Sequence, residues 1–131
     1  MGIFNEIVLL IGIASIGASV EAWFDYKKIL KEKKILHSLS FIGRVVIYFF
    51  IIHLIGNSNK IDIFDKLFKL WIVGAYYWIL FDIILNKLRG LPWDYIGKTS
   101  WIDRHSTPEI IYIKLSMCVL SIVFYLNYIN G

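Results

Sequence analysis

Proline is nearly absent from this chain, cysteine all but absent, and neither terminal stretch carries a lysine or arginine. With two prolines, Pro92 and Pro108, in 131 residues, long helices can run without interruption. One cysteine excludes an internal disulfide and any cysteine-rich metal centre; Cys118 stands in an apolar run and reads as a packing residue. Charged residues are scarce at 18% against 58% hydrophobic, and the mean hydropathy is +0.65. A soluble domain of this size has too little interior to hide so much apolar surface. No Gly- or Ser-rich linker, low-complexity tract or internal repeat divides the sequence, so residues 1–131 read as a single integral membrane domain.

Four apolar segments approach the roughly 20 residues needed to cross about 30 Å of hydrocarbon. They lie at about 4–23, 36–55, 67–85 and 109–129, each bounded by charged or turn residues. The expected fold class is all-α: a four-helix transmembrane bundle with short loops and an interfacial cytoplasmic loop. The first segment, apolar with small residues near its end, invites a secretory-signal reading, but its opening carries Glu6 and no basic residue, so a retained helix is expected.

The formal charge of +4 does not point to nucleic acid, because Lys27, Lys28, Lys31, Lys33 and Lys34 exceed it within one short segment. A basic juxtamembrane loop accounts for it. The third loop adds Lys87, Arg89, Lys98 and Arg104, whereas the second has Lys60, Lys66 and Lys69. Nine positive charges against three place the first and third loops in the cytoplasm and both termini outside, as expected for a bacterial inner (plasma) membrane protein.

The third loop, "RGLPWDYIGKTSWIDR", contains Gly-Lys-Thr, the tail of a phosphate-binding P-loop. That motif needs a glycine five residues before Gly97, where Pro92 stands without an amide hydrogen. A helix exit precedes it instead of a strand. Trp93, Tyr95 and Trp101 suit headgroup level, Lys98 and Arg104 suit anionic lipid phosphates, and Gly90 suits a left-handed helix cap. Ser106 or Thr107 before Pro108 suits the next helix start. The run "FDIILNKLRGLPWDYIGKTSWIDR", with Asp82, Asn86, Gly90, Tyr95, Gly97, Thr99 and Asp103, resembles a segment of uncharacterised small multi-pass membrane proteins of bacteria and their phages. The resemblance implies a membrane location and no activity.

Ionisable side chains inside the spans cost roughly 2.5–3.5 kcal/mol each at mid-bilayer on insertion scales and so face protein or water. Glu21, Arg44, Asp82 and Lys114 supply one per span. Counting from the cytoplasmic ends at about 1.5 Å per residue puts all four in the inner half. Because helical side chains lean toward their own N-terminus, Arg44 and Lys114 reach down and Glu21 and Asp82 reach up. They are expected to converge in one neutral layer, either as register-fixing pairs or as the lining of a cytoplasm-facing cavity. Asn86 lies one turn beyond Asp82. With Asp103 and His105, these two residues could hold a divalent cation and through it a lipid phosphate, although no spacing here is diagnostic of metal. His53 reads as an interior hydrogen-bonding residue.

Gly12, Ser15 and Ser19 share one face of the first span, with Ala14 and Ala18 beside them, and predict a helix-packing seam within the chain or between copies. In "NKIDIFDKLFKLW", Ile61, Phe64, Leu67, Phe68 and Trp71 recur at helical spacing with Asp62, Asp65, Lys66 and Lys69 between them, which predicts an interfacial amphipathic lead-in. The sequence contains no hydrolase elbow, zinc helix motif or cysteine pair.

The expected function is non-enzymatic: a membrane protein that acts by helix-helix assembly as a scaffold, accessory subunit or phage-type envelope protein. Its expected partners are membrane lipids, anionic headgroups among them, and further copies or subunits of a membrane complex. No cofactor or nucleic acid is implied. The alternatives are an ion-conducting or holin-like pore and an anionic-headgroup binder or lipid-modifying enzyme.

Overall fold

The computed structural model describes residues 2–31, 37–55, 62–96, 107 and 109–131. Among these residues it has four helices and no strand: α1 (Ile3–Leu30), α2 (His37–Ile55), α3 (Ile63–Leu88) and α4 (Ile110–Asn130). The fold is an all-α bundle. α1, α3 and α4 are each long and apolar enough to cross a membrane, while the apolar part of α2, Phe41–Ile55, is shorter, about 22 Å.

α3 is the hub, packed against each of the other three helices. Its contacts give the directions. Lys69 meets Glu6 and Tyr77 meets Glu21, so α1 runs parallel to α3. Tyr77 also meets Arg44 while Lys66 meets His53, and Asp82 meets Lys114 while Asp62 meets Tyr128. α2 and α4 therefore run opposite to α3.

Two helices outrun their apolar segments. α1 has 28 residues and continues through Asp25, Lys27 and Lys28, where Lys28 Nζ sits 3.0 Å from Asp25 Oδ1 one turn back and Lys27 lies over the Trp23 ring. Oppositely charged pairs at that spacing let a helix extend past its greasy stretch. α3 has 26 residues and starts at Ile63 because Asp62 caps it, its carboxylate accepting from the amides of Phe64 and Asp65. At about 42 and 39 Å, α1 and α3 exceed the hydrocarbon thickness.

The α3 start corrects the lead-in reading. Lys66 and Lys69 face the bundle, each 7% exposed, while Phe64 and Leu67 face out at 62% and 48% and Phe68 and Trp71 pack against α4; Ile61 lies outside the described residues. A helix lying on a membrane surface puts its charges toward water. One packed within a bundle that is apolar outside puts them inward.

Within the chain, α1 packs through the alanines that stand beside the Gly12–Ser15–Ser19 face. Ala14, Ala18 and Ala22, each fully buried and four residues apart, continue the line of Ile7 and Leu10 and allow close approach of α1 and α3. Nothing packs within 4 Å of a side chain placed at Gly12. Ser15 and Ser19 turn their hydroxyls back onto the Ile11 and Ser15 carbonyls of their own helix. The glycine that matters for packing is Gly17, where a Cβ would overlap the Tyr48 hydroxyl of α2.

The core lies midway along the bundle. Leu10, Ala14, Ala18, Tyr48, Ile52, Ile72, Val73, Tyr77 and Tyr125 form its main cluster. A smaller one between α3 and α4 holds Ala75, Ile79, Ile111 and Cys118. α3 ends as expected at Gly90, which takes φ +69°, with Leu91 N donating to Asn86 O at 2.9 Å and Gly90 N to Lys87 O at 3.1 Å. This pair of bonds with a left-handed glycine is the Schellman motif.

The two stripes of α1 can be told apart by mutation. Ala18→Leu inserts methylenes into a filled seam and should cost about 1–3 kcal/mol. Ser19→Leu, pointing outward, should leave the chain's own stability unchanged. Unfolding in mixed detergent micelles, followed by circular dichroism, measures both.

Candidate functional site

Polar side chains collect in two layers along α3, and the sequence reading anticipates one of them. In the layer toward the ends of α1 and α3, Arg44 Nη1 lies 3.1 Å from Glu21 Oε2 and donates to the Tyr77 hydroxyl at 2.8 Å. Tyr77 in turn donates to Glu21, so a tyrosine of α3 knits α1 to α2. The Arg44 guanidinium stacks over the Tyr77 ring, 5.0 Å from its centroid, and Tyr48 meets that ring edge-on. Lys114 of α4 binds Asp82 of α3 and lies 4.5 Å from the centre of the Trp78 ring.

The four intramembrane charges are thus brought into two sets, not one cluster. Tyr77 and Asp82 are five residues apart, which turns their side chains about 140° from each other around α3. One set serves the α1–α2 side and the other the α4 side.

Asn86 does not face these charges as a cavity residue. It is buried, and its side-chain amide donates to the carbonyls of Trp93 and Tyr95 at 3.2 and 2.8 Å. This folds residues 91–96 back over the end of α3, with Arg89 against the Tyr95 ring. Trp93 and Tyr95 stay exposed, near the exposed Lys87 and Arg89. Trp23, Lys27 and Lys31 are likewise exposed at the end of α1, so this end of the bundle is basic and aromatic. Lys98, Asp103, Arg104 and His105 lie outside the described residues.

The second layer sits where α1 and α3 begin. Lys69 Nζ bridges Glu6 Oε1 at 2.6 Å and Asp65 Oδ2 at 2.7 Å. The buried Tyr125 hydroxyl of α4 lies 3.0 Å from Glu6 Oε2 and 3.3 Å from Asp65 Oδ1. Lys66 Nζ is 2.7 Å from His53 Nδ1 of α2. Tyr128 donates to Asp62 and holds the Asp62 carboxyl below the usual carboxylate range, helped by the amides it caps.

Sequence spacing carries a signal for this layer. Asp62, Asp65, Lys66 and Lys69 stand at intervals of three and four on one helical face, and Glu6 lies in the first turn of α1.

Between the layers the interior is apolar except for Ser121 of α4, whose buried hydroxyl donates to the Cys118 carbonyl of its own helix. Leu10, Ala14 and Ala18 of α1, Ile52 of α2 and Ile72 and Val73 of α3 are almost wholly buried there. Lys69 and Tyr77 are about 12 Å apart along the helix axis. Among the described residues, every buried side-chain nitrogen and oxygen has a hydrogen-bond partner, and no three histidine, cysteine or acidic side chains gather as metal ligands.

No family model, curated protein or solved structure matches this chain. Its function is argued from geometry alone.

Double-mutant cycles test the division into two sets. The pairs Glu21→Gln with Arg44→Met and Asp82→Asn with Lys114→Met should each show coupling of about 0.5–3 kcal/mol. The crossed pair Glu21→Gln with Lys114→Met should be additive within about 0.5 kcal/mol. Unfolding free energies in bicelles supply the values.

Proposed function

We propose that this chain is a four-span membrane protein that works by lateral helix assembly, as a scaffold or accessory subunit. The supporting observation is that the charged side chains within the bundle engage one another while its outer surface is apolar. Arg44 is engaged with Glu21, Lys114 with Asp82 and Lys69 with Glu6 and Asp65. Among the described residues, such an interior offers no row of uncommitted groups for a substrate. The apolar belt between the layers also interrupts any conduction path through a single copy, which counts against the pore reading.

The outward faces suit assembly. α2 presents Phe41, Ile42, Val46 and Phe50 to its surroundings, each about 60% exposed. On α1 the Gly12–Ser15–Ser19 face is left over once the alanine stripe is packed. Small residues there let a second helix come close.

The helix directions support the expected orientation. Lys66 and Lys69 belong to α3 and point inward, which leaves Lys60 alone of the three positive residues first assigned to the second loop. Set against the nine positive residues counted in sequence around the first and third loops, this supports the placement of both termini outside. The exposed Trp23, Lys27, Lys31, Arg89, Trp93 and Tyr95 then lie at the inner leaflet, where aromatic rings suit headgroup level and cations suit anionic lipid.

Single-molecule photobleaching of labelled protein in liposomes tests assembly. At low protein-to-lipid ratio the wild type should bleach in several steps, and Gly12→Leu combined with Ser15→Leu should shift it toward single steps without loss of helicity. Single-step bleaching of the wild type at every ratio, together with a membrane conductance abolished by Arg44→Ala, would replace this reading with a channel.

A further inference from the structure

The end of the bundle where α1 and α3 finish holds its cations differently from the interior. Inside, Arg44, Lys69 and Lys114 each meet a carboxylate. At this end Lys28 meets Asp25, but among the described residues Lys27, Lys31, Lys87 and Arg89 have no carboxylate partner. Two of them lie over aromatic rings instead: Lys27 is 4.7 Å from the Trp23 centroid and Arg89 5.8 Å from that of Tyr95.

The chain around Arg89 is held in a defined shape. Asn86, 5% exposed, commits its side-chain amide to the carbonyls of Trp93 and Tyr95. Tyr95 N donates to Pro92 O at 3.0 Å and closes a turn. These bonds keep the Tyr95 ring against the guanidinium. The carbonyls at a helix end repel an anion, but here those of Leu85, Asn86 and Lys87 accept from the amides of Arg89, Leu91 and Gly90.

A guanidinium stacked on a ring keeps its N–H edges open, and its planar fork matches two oxygens of a phosphate. The exposed Lys87 adds a second positive charge. Lys87 and Arg89 follow directly on the apolar run of α3, at the height where a phospholipid carries its phosphate. Trp93 and Tyr95 are exposed rings of the kind that settle among headgroups. A zwitterionic lipid also brings a quaternary ammonium, which these cations repel, and the Tyr95 face that could receive it is covered by Arg89. An anionic lipid has no such group. Of the acids at this end, Asp25 is engaged with Lys28, and the exposed Asp94 and Glu109 are outnumbered by the cations.

We propose that Lys87, Arg89, Trp93 and Tyr95 form a seat for the phosphate of an anionic phospholipid, with Asn86 as the positioning residue that holds its shape. The seat rests on the membrane-spanning reading above and not on assembly, since it lies within one copy.

Native mass spectrometry of the full chain released from detergent micelles, titrated with phosphatidylglycerol or with phosphatidylcholine, resolves the first lipid bound. Phosphatidylglycerol should bind more tightly, and Arg89→Gln should weaken it about fivefold. Lys31→Gln, an equal change of charge at the same end, should leave it nearly unchanged. Arg89→Lys keeps the charge without the fork and should lose part of the affinity. Asn86→Leu removes no charge and should lose as much as Arg89→Gln. Equal affinity for the two lipids, equal losses in Arg89→Gln and Lys31→Gln, or full affinity in Asn86→Leu would overturn the proposal. If Asn86→Leu fails to fold, full affinity in Arg89→Lys would overturn it instead. Resistance of the chain to alkaline extraction from liposomes tests the spanning reading by itself, so the two fail separately.

Discussion

An ionised side chain in a medium without water has to find its partner within the protein, and α3 is arranged around that requirement. Asp65 and Lys69 engage Glu6 and Tyr125, Lys66 engages His53, Tyr77 engages Glu21 and Arg44, and Asp82 engages Lys114. Each of the other helices is thereby tied to α3 at a defined height. Burial against lipid supplies little net force between helices, so contacts of this kind set which helices are neighbours and in what register. Their contribution is specificity more than gross stability, since well-packed apolar substitutes for buried ion pairs often stabilise as much or more.

Apolar packing fills the space between these polar layers and differs from helix to helix. α1 approaches α3 through Ala14, Ala18 and Ala22, side chains with almost no volume and no rotamer freedom to lose. α4 uses larger surfaces, with Trp71 stacked on Phe124 and Phe68 against Tyr128. α2 is the most lightly held, through Tyr48 seated over Gly17, a few aliphatic residues and a polar contact near each end. The contacts of Glu6, Asp65, Lys69 and Tyr125 at the start of α1 and α3 join three of these helices.

The number of helices is legible in the sequence because apolar runs of spanning length are bounded by charge, and the bounds of α2 and α4 fall within a residue or so of those runs. The ends of α1 and α3 are less legible. Hydropathy marks where lipid contact stops, whereas the helix stops where its backbone loses partners, beyond Lys28 in α1 and as early as the Asp62 cap in α3. Gly90 is readable from local chemistry alone, since the left-handed cap depends on neighbouring backbone bonds.

Two faces are less legible. Of the small residues of α1, Ser15 and Ser19 bond their hydroxyls to their own helix, and within the chain the alanines beside them do the packing. The stripe of Asp62, Asp65, Lys66 and Lys69 has the period of an amphipathic helix, and period alone does not say which side faces protein. Pairing across helices decides that. The partners Glu6, His53 and Tyr125 are distant in sequence and so not legible there, whereas the arrangement of Glu21, Arg44, Asp82 and Lys114 as pairs is one of the two expected from the sequence.

The central claim is that in the first turns of α3 the charged residues Lys66 and Lys69 point into the bundle while Phe64 and Leu67 point outward. Spin labels placed singly at positions 64, 66, 67 and 69 of a Cys118→Ala background, with the chain in bilayers, report on it through collision with oxygen, which concentrates in hydrocarbon. The labels replacing Phe64 and Leu67 should collide often and those replacing Lys66 and Lys69 seldom. High accessibility at 66 and 69 with protection at 64 and 67 would contradict the account.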